Sequence, residues 1–568
     1  MFNPKCVVWF VVFVVFSIEC CIGQESAPFG PRFPTLDSMA TGQWWTAESP
    51  PLMLPRVKVI GFSLYTVQNK VLKLTAQMYP LLPDESRDVT LEFDFGNGWE
   101  RPVVEKIVTP GWSAHFRIEK WDEQKGVPFR LTHAGGAEWT GSIRPDPSTK
   151  NEIVVATLSC NSSGTPGDRN SIVRNILKQN PDLLFFAGDQ TYEHTQHTHG
   201  WLEFGAQFGE LMRDRPTVTI PDDHDVGHPN LWGENGKVSL KKTGSDGGFF
   251  YPANYVNMVQ RCQTWHLPDP VDPEPVEQGI TVYFTRLNVG GIDFAILEDR
   301  KFKTGPENRI PKMGPRPDHI NDPSYDPKTI DLPGLELLGE RQTKFLGDWG
   351  QDWTGSTMKC VLSQTAFYGA VHMHGKANER LLADLDCNGW PQTGRNLAIA
   401  ELRRCRAVHL CGDQHLAVVV KHGIDVAGDG SYGFTSPAIV NTIYGRWWHP
   451  ESELPGDNAV PHSPLPWTGD FLDGLGNPFR MLAYSNPANV QDEKQRADGY
   501  GLVRFNRSTG DIRFECWPRF SNVDEGDGAQ FPGWPISVNV MDNEGRVPTG
   551  WLPELTIAGS EKPVVQVC

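Results

Sequence analysis

The sequence predicts an α/β protein preceded by an all-β sandwich domain, and three features of the chain carry that prediction. Between about 57 and 144, short alternating β runs succeed one another without a helical period. From 153 onward, unalternating apolar runs are interleaved with segments of helical spacing. Four of those apolar runs stop abruptly in acid, histidine or thiol groups.

The β region comes first. Val71–Ala76 is one run, Val89–Phe93 and Ala114–Ile118 alternate, and Asn97-Gly98 and Gly135-Gly136 read as hairpin punctuation. Strands at this spacing predict a small immunoglobulin-like sandwich over 40–147. Pro145-Asp146-Pro147-Ser148 then marks a boundary. Beyond it, Ile153–Leu158 is a buried strand ending in Ser159-Cys160-Asn161. Ile172, Val173, Ile176 and Leu177 recur at helical spacing up to Asn180-Pro181, and Leu183–Ala187 is the next strand. This is β-α-β, so a parallel pair covered by helices is expected.

A second helix is expected around Trp201–Met212, and Thr217–Ile220 is a third strand running into Pro221-Asp222-Asp223-His224-Asp225. Ile280–Leu287 and Ile292–Leu297 flank a Gly290-Gly291 hairpin, and Lys303–Pro333 reads as a Pro- and charge-rich surface loop. Leu335–Trp353 is helical in pattern. Strands are expected at Met358–Leu362 and at Ala407–Cys411, the latter ending in Gly412-Asp413-Gln414-His415. Asn441–Gln495, rich in Trp, Pro and Gly, reads as a lid or insertion. The catalytic part is expected to fill 150–568.

Composition narrows the function. At 568 residues, with 39% hydrophobic and 21% charged, the chain is long enough for two or more domains. A net charge of −17 disfavours nucleic-acid scaffolds and anionic membranes as partners. An anionic substrate would need bound cations to reverse the local field. One Lys, an apolar run from Val7 to Phe16 and small residues after it form a secretory pattern, so 1–24 is expected to be a signal peptide and the protein secreted, periplasmic or on the cell surface. The run is short for a stable membrane span. Eight cysteines follow the leader, an even set that invites disulfides in an oxidising compartment.

Chemistry concentrates at strand ends: Cys160, Asp189 with Tyr192, the Asp222–Asp225 cluster, and Asp413 with His415. In a parallel sheet such ends converge on one edge. Carboxylates, an imidazole, a phenol and a thiol form a transition-metal donor set, and the hard oxygens also suit Ca²⁺. Each motif alone is more often a solvated turn or a buried small side chain. Their joint occurrence outweighs that. His194, His197, His199, His372 and His374 are assigned to surface or loop, and His228 is left open beside the acidic cluster.

These residues carry a resemblance. Gly188-Asp189-Gln190-Thr191-Tyr192 resembles the Gly-Asp-x-x-Tyr motif of calcineurin-like metallophosphoesterases that hold ferric iron through a tyrosinate. Asp222-Asp223-His224-Asp225 is similar to the Asp-Asp-His-Glu motif of the PhoD-like alkaline phosphatase and phosphodiesterase branch, and Ser159-Cys160 and Gly412-Asp413-Gln414-His415 match that branch too. The resemblance implies a four-layer αββα core that hydrolyses phosphate mono- or diesters with water activated at a dinuclear site. It further implies that Cys160, Asp189, Tyr192 and Asp413 bind Fe³⁺. Asp189 and Asp223 would hold Ca²⁺, with His415 contributing, and Zn²⁺ stays open as the alternative metal. His224 and Asp189 are then the catalytic residues, His224 orienting the phosphate or protonating the leaving oxygen. Arg300 is expected behind the ligands or against the phosphate, and Asn230 on the substrate side. Asp225 departs from the pattern, standing where Glu is usual.

Two rivals are weighed. The 19 tryptophans suggest a cell-surface glycan-binding protein with structural Ca²⁺. A purple-acid-type ferric phosphatase is the nearer one, but it lacks the strand-end cysteine and carries Gly-His-x-His where Gly412–His415 stands.

Overall fold

The computed structural model describes residues 27–40, 53–162, 169–370, 381–449, 454–492 and 494–544. The expected leader, Trp44-Trp45, His372, His374 and Cys568 lie outside them. Seven strands come first. Ile60–Gln68, Val71–Met78 and Ser113–Glu119 form one antiparallel sheet, and Trp99–Lys106, Asp88–Asp94, Val127–His133 and Ala137–Ile143 form another. Leu74, Ala76 and Phe116 of the first share an apolar core with Leu91, Phe129 and Leu131 of the second. The polar–apolar alternation of these strands is what turns one face of each sheet inward.

Two larger sheets follow. One orders Thr217–Thr219, Leu183–Phe186, Glu152–Asn161, Gly499–Asn506, Asp511–Pro518 and Ile536–Asn539, with Ala438–Val440 pairing parallel beside the end of Glu152–Asn161. The other orders Thr285–Val289, Ile292–Ile296, Met358–Leu362, Val408–Cys411, Tyr432–Thr435, Val418–His422, Pro478–Tyr484 and Gly469–Leu472.

The apolar runs do not alternate because both faces of each sheet are covered. Leu183 and Phe185 point between the sheets, against Phe294, Leu362, Leu410 and Phe434. Leu184 and Phe186 point outward, against Ile172 and Ile176 of helix Asn170–Gln179 and Trp201, Phe204 and Phe208 of helix His197–Met212. Val361 and Leu297 on the second sheet meet Phe345, Leu346, Ile399 and Leu402 of helices Gly339–Gln351 and Gln392–Arg404. Helix, sheet, sheet, helix is therefore the layering. Among the described residues no helix is long and apolar enough to cross a membrane.

Three expectations need correction. The chemistry-bearing strands do not share one sheet: Cys160 lies at the end of Glu152–Asn161, and Asp189 and Asp222 follow strands of the same first sheet, whereas Asp413 follows Val408–Cys411 of the second. Lys303–Pro333 is not a free surface loop. Its strand His319–Ile320 pairs with Ala383–Asp384, and Ile310, Ile320 and Ile330 pack with Trp390. Asn441–Gln495 is not all lid, because Gly469–Leu472 and Pro478–Tyr484 form one edge of the second sheet. Phe479, Met481 and Ala483 alternate inward there, a period obscured in the sequence by the prolines and glycines around it. Each of the seven described cysteines is a buried free thiol.

The segment at 27–40 is fixed by Asp37, which accepts hydrogen bonds from the backbone N–H (3.1 Å) and hydroxyl (2.9 Å) of Thr198. Burial pushes its carboxyl up to about 7, those hydrogen bonds pulling the other way. The folded state therefore keeps a proton that the unfolded chain has released above about pH 4, so stability falls as pH rises from about 4 to 7. Asp37→Asn is expected to flatten that decline, which runs at on the order of 1 kcal/mol per pH unit. Urea unfolding at several pH values checks it.

Candidate metal centre

The C-terminal ends of the two sheets face each other across the sandwich, and the sequence is built for close approach there. Gly188 has φ +114°, and a Cβ on it would lie 2.5 Å from Cβ of Asp222. Glycine thus lets the turns after two neighbouring strands touch. Gly412 brings the second sheet in, since a Cβ there would sit 2.2 Å from Oγ of Ser159. Cys160, Asp189, Asp413 and His415 all adopt left-handed backbone, with φ of 59°, 57°, 70° and 52°. Such conformations are unfavourable for residues other than glycine and persist where surrounding structure enforces them, commonly at functional sites.

Asp225 is part of that enforcement. Its carboxylate accepts the backbone N–H of Asp189 (2.8 Å), of Asp222 (2.9 Å) and of Thr191 (3.3 Å), with Nε2 of Gln263 at 3.1 Å. The residue that departs from the motif is a buried brace joining two turns. Ser159 does the same across the sheets, its hydroxyl accepting from the backbone N–H of Asp413 at 3.0 Å.

The side chains then overlap. Ligand atoms of Cys160, Asp189 and His415 lie within 4.8 Å of one another, as do those of Asp189, Asp223 and His224, and those of Asp189, Asp222, Asp223 and Asp413. Asp189 belongs to all three groups. Its Oδ2 accepts from the Tyr192 hydroxyl at 2.8 Å, while its Oδ1 is buried without a hydrogen-bond partner. His415 places Nδ1 2.8 Å from the Ile443 carbonyl, which can only accept, so Nε2 turns a lone pair toward Tyr192 (3.1 Å) and Asn441 (3.0 Å). Holding one imidazole nitrogen this way prepares the other as a ligand.

Electrostatics favour cation binding. Asp189 is driven well above the carboxylate range by burial first, then by Asp223, Asp222, Asp225 and Asp413. Burial likewise raises Asp223 to about 8 and Asp413 to about 6, with Arg300 opposing in both cases. Burial and the Asp189 charge raise Cys160 and Tyr192 as well. Groups of like charge held this close out of water ionise together only if a cation compensates them. The orphaned Asp189 oxygen and the mixed O, N and S donors fit such cations.

Arg300 supplies one compensating charge. Only 2% exposed, it reaches Asp222 (2.6 Å), Asp386 (2.7 Å) and Asp413 (3.0 Å). A guanidinium engaged on three carboxylates is committed to the acidic cluster itself. Asp386 is held in turn by Lys303, buried completely, whose Nζ donates to the carbonyls of Leu385, Asp386 and Cys387 at 2.9, 2.6 and 2.8 Å.

Asn230 is not brought into the Asp189 groups. Its amide donates to Asp318 at 3.0 Å, beside a separate Asp318–His319–Asp384 cluster. His228 is buried, with Nε2 accepting from the backbone N–H of Phe250 at 3.2 Å. Sequence reasoning missed Asp386 and Asn441, which sit in loops without a motif, and gave Asp222 no separate role. It also assigned His194 and His197 to surface or loop: His194 does lie in a turn, with its ring against His224 at a centroid separation of 4.6 Å, whereas His197 is fully buried in helix His197–Met212.

Comparison with solved structures decides the fold. The structure titled "Structure of PhoD" aligns over 84% of this chain and 88% of its own, with a TM-score of 0.57 at 14% identity. The fold is that of a PhoD-like metallophosphoesterase. Purple acid phosphatase PPD1 from yellow lupin (Lupinus luteus) seeds aligns over 87% of this chain and 77% of its own, with a TM-score of 0.52 at 11% identity. No protein-family model and no curated protein matches the sequence. The metallophosphoesterase fold thus comes with buried acidic and histidine clusters able to bind metal at its strand ends.

Proposed function

We propose that the protein is an exported, metal-dependent phosphoric ester hydrolase acting on small phosphate mono- or diesters. One observation carries this most directly: on a PhoD-like fold, three ligand-competent groups overlap at Asp189, whose Oδ1 is buried and unpartnered. In this proposal Cys160, Asp189, Tyr192 and Asp413 hold Fe³⁺, and Asp189 and Asp223 hold Ca²⁺. The proximity of His415 to Cys160 and Asp189 favours a role for it on the ferric side. The division into a leader (1–24), an immunoglobulin-like domain (40–147) and a catalytic domain (150–568) belongs to the same proposal.

A bound cation pair supplies Lewis acidity, acidifying water and drawing charge from phosphoryl oxygens. The chain's own residues do the rest. Asp225, Ser159 and Arg300 hold the carboxylates at fixed separations, so little reorganisation accompanies the reaction. Tyr192 stacks on His224 with centroids 4.0 Å apart, and the half-buried His224 ring lies beside Asp189 and Asp223. Burial, then His194, His415 and Arg300, lowers His224 well below an ordinary imidazole. A neutral His224 with its proton on Nε2 would orient a phosphoryl oxygen, or give that proton to the leaving oxygen and regain one from the attacking water. The glycan-binding alternative gains nothing here, because Trp447 is fully buried in an apolar cluster.

Protein purified without chelator is expected to contain stoichiometric metal and to hydrolyse aryl phosphate mono- or diesters. Iron held by Tyr192 would give visible absorbance that Tyr192→Phe removes. Metal-free protein that regains no hydrolysis on addition of Fe³⁺, Ca²⁺ or Zn²⁺ would sink the proposal, and colour persisting in Tyr192→Phe would move the iron elsewhere.

A further inference from the structure

We propose that His194 is a positioning residue that fixes the ring orientation and tautomer of His224, an assignment that rests on the hydrolase function proposed above. The two rings meet edge to edge, Nε2 of His194 against Nδ1 of His224, in a close hydrogen bond. Tyr192 stacks on the face of His224, with centroids 4.0 Å apart at 29°, while the His194 ring lies at 28° to His224 with centroids 4.6 Å apart.

His194 is itself anchored from its backbone. Its N–H donates to the Tyr192 carbonyl at 3.0 Å, and its carbonyl accepts from the Tyr255 hydroxyl at 3.4 Å. That carbonyl also packs on Gly227, where a Cβ would come within 2.4 Å of it. The imidazole is therefore delivered to His224 by a turn with little freedom to move.

The consequence follows from counting protons. One neutral imidazole nitrogen donates and the other accepts. With His194 donating from Nε2, His224 Nδ1 accepts, and the His224 proton resides on Nε2. Among the described residues no hydrogen bond reaches that Nε2, and a ring nitrogen of His224 lies within 4.8 Å of carboxylate oxygens of Asp189 and Asp223. In the metal-free protein those carboxylates favour an N–H over a lone pair on the ring nitrogen that faces them. His194 thus selects a donor, suited to a phosphoryl or leaving oxygen, over a metal ligand. In the reaction the attacking water's oxygen bonds to phosphorus as the P–O bond to the leaving oxygen breaks and its electron pair departs with that oxygen. The Nε2–H proton passes to the leaving oxygen, and His224 is reprotonated by the proton that the attacking water releases.

Two variants separate the hydrogen bond from the bulk of the ring. His194→Phe keeps an aromatic ring and removes the donor, and His194→Gln restores an N–H near the Nε2 position. Loss of general-acid help typically costs 10²–10⁴-fold. His194→Phe is therefore expected to lower kcat by about 100-fold on an alkyl phosphate and by less than about threefold on 4-nitrophenyl phosphate, whose leaving group needs no proton. KM and bound metal should stay at parent values, and His194→Gln should recover most of the alkyl activity.

Independently of activity, ¹⁵N spectra of histidine-labelled, metal-free full-length protein are expected to show His224 protonated on Nε2, with that preference lost in His194→Phe. A uniform loss across leaving groups, loss of metal in His194→Phe, or a His224 proton on Nδ1 would each overturn the assignment. If the metal-loaded parent hydrolyses none of the esters, the functional proposal fails, while the tautomer measurement still decides the His194–His224 pairing.

Discussion

Asp189→Asn is expected to lower kcat/KM by more than about 100-fold, beyond the 10–100-fold typical of groups that only support a ligand. The substitution keeps the shape of the side chain and removes the charge that three overlapping groups share. Bound metal should fall with activity. The metal-free variant should also be more stable than the metal-free parent, by on the order of 1 kcal/mol, because one member of a buried like-charge cluster is gone. The two effects have opposite sign, which separates loss of function from loss of fold. Elemental analysis, hydrolysis assays and urea unfolding of parent and variant measure all three quantities. Parent-level metal and turnover would remove Asp189 from the centre of the site.

Arg300→Met carries the largest expected stability effect. Three carboxylates, those of Asp222, Asp386 and Asp413, lose a buried partner at 2.6–3.0 Å. Removing one member of a buried ion network typically costs 3–5 kcal/mol, because the remaining charge is left uncompensated. Raised carboxyl pKa values set the pH dependence. Burial, opposed by Arg300, holds Asp413 at about 6, and without the guanidinium it would rise further. The penalty should therefore be greatest near pH 8 and shrink as pH falls below about 6 and the carboxylates take up protons. Arg300→Lys should not restore stability, since a point ammonium lacks the fork that reaches three carboxylates. Equal stability of parent and Arg300→Met at pH 8 would mean that the network contributes nothing net.

Much of the site was legible because its chemistry sits where strands stop. A buried strand needs an unbroken apolar run, and the first polar residues after it are pinned at the sheet edge. That is why Cys160, Asp189, the Asp222–Asp225 turn and Asp413 stood out. The brace was harder to see. Arg300 lies in a short helical turn at Asp299–Phe302, and Asp386 lies in a loop held by carbonyl bonds to Lys303. Their pairing spans 86 residues of chain and leaves no local pattern. Asp225 looked like an imperfect ligand because a motif records residue type, whereas its backbone hydrogen bonds exist only once two turns are adjacent.

Hydrophobic period and strand-end chemistry, both local properties of the sequence, determined the mixed α/β class, the β-α-β start of the first sheet and the candidate residues at its strand ends. The tertiary structure alone decided three things. It split the candidate ligands between two facing sheets, joining Asp413 to Ser159 across the sandwich. It turned Asn441–Gln495 partly into sheet edge, because Phe479, Met481 and Ala483 found an apolar layer to face. And it drew His194 onto His224, a contact set by the path of one turn against Gly227 and Tyr255. Each depends on which surfaces meet after the layers pack, and close packing fixes that only when every layer is present.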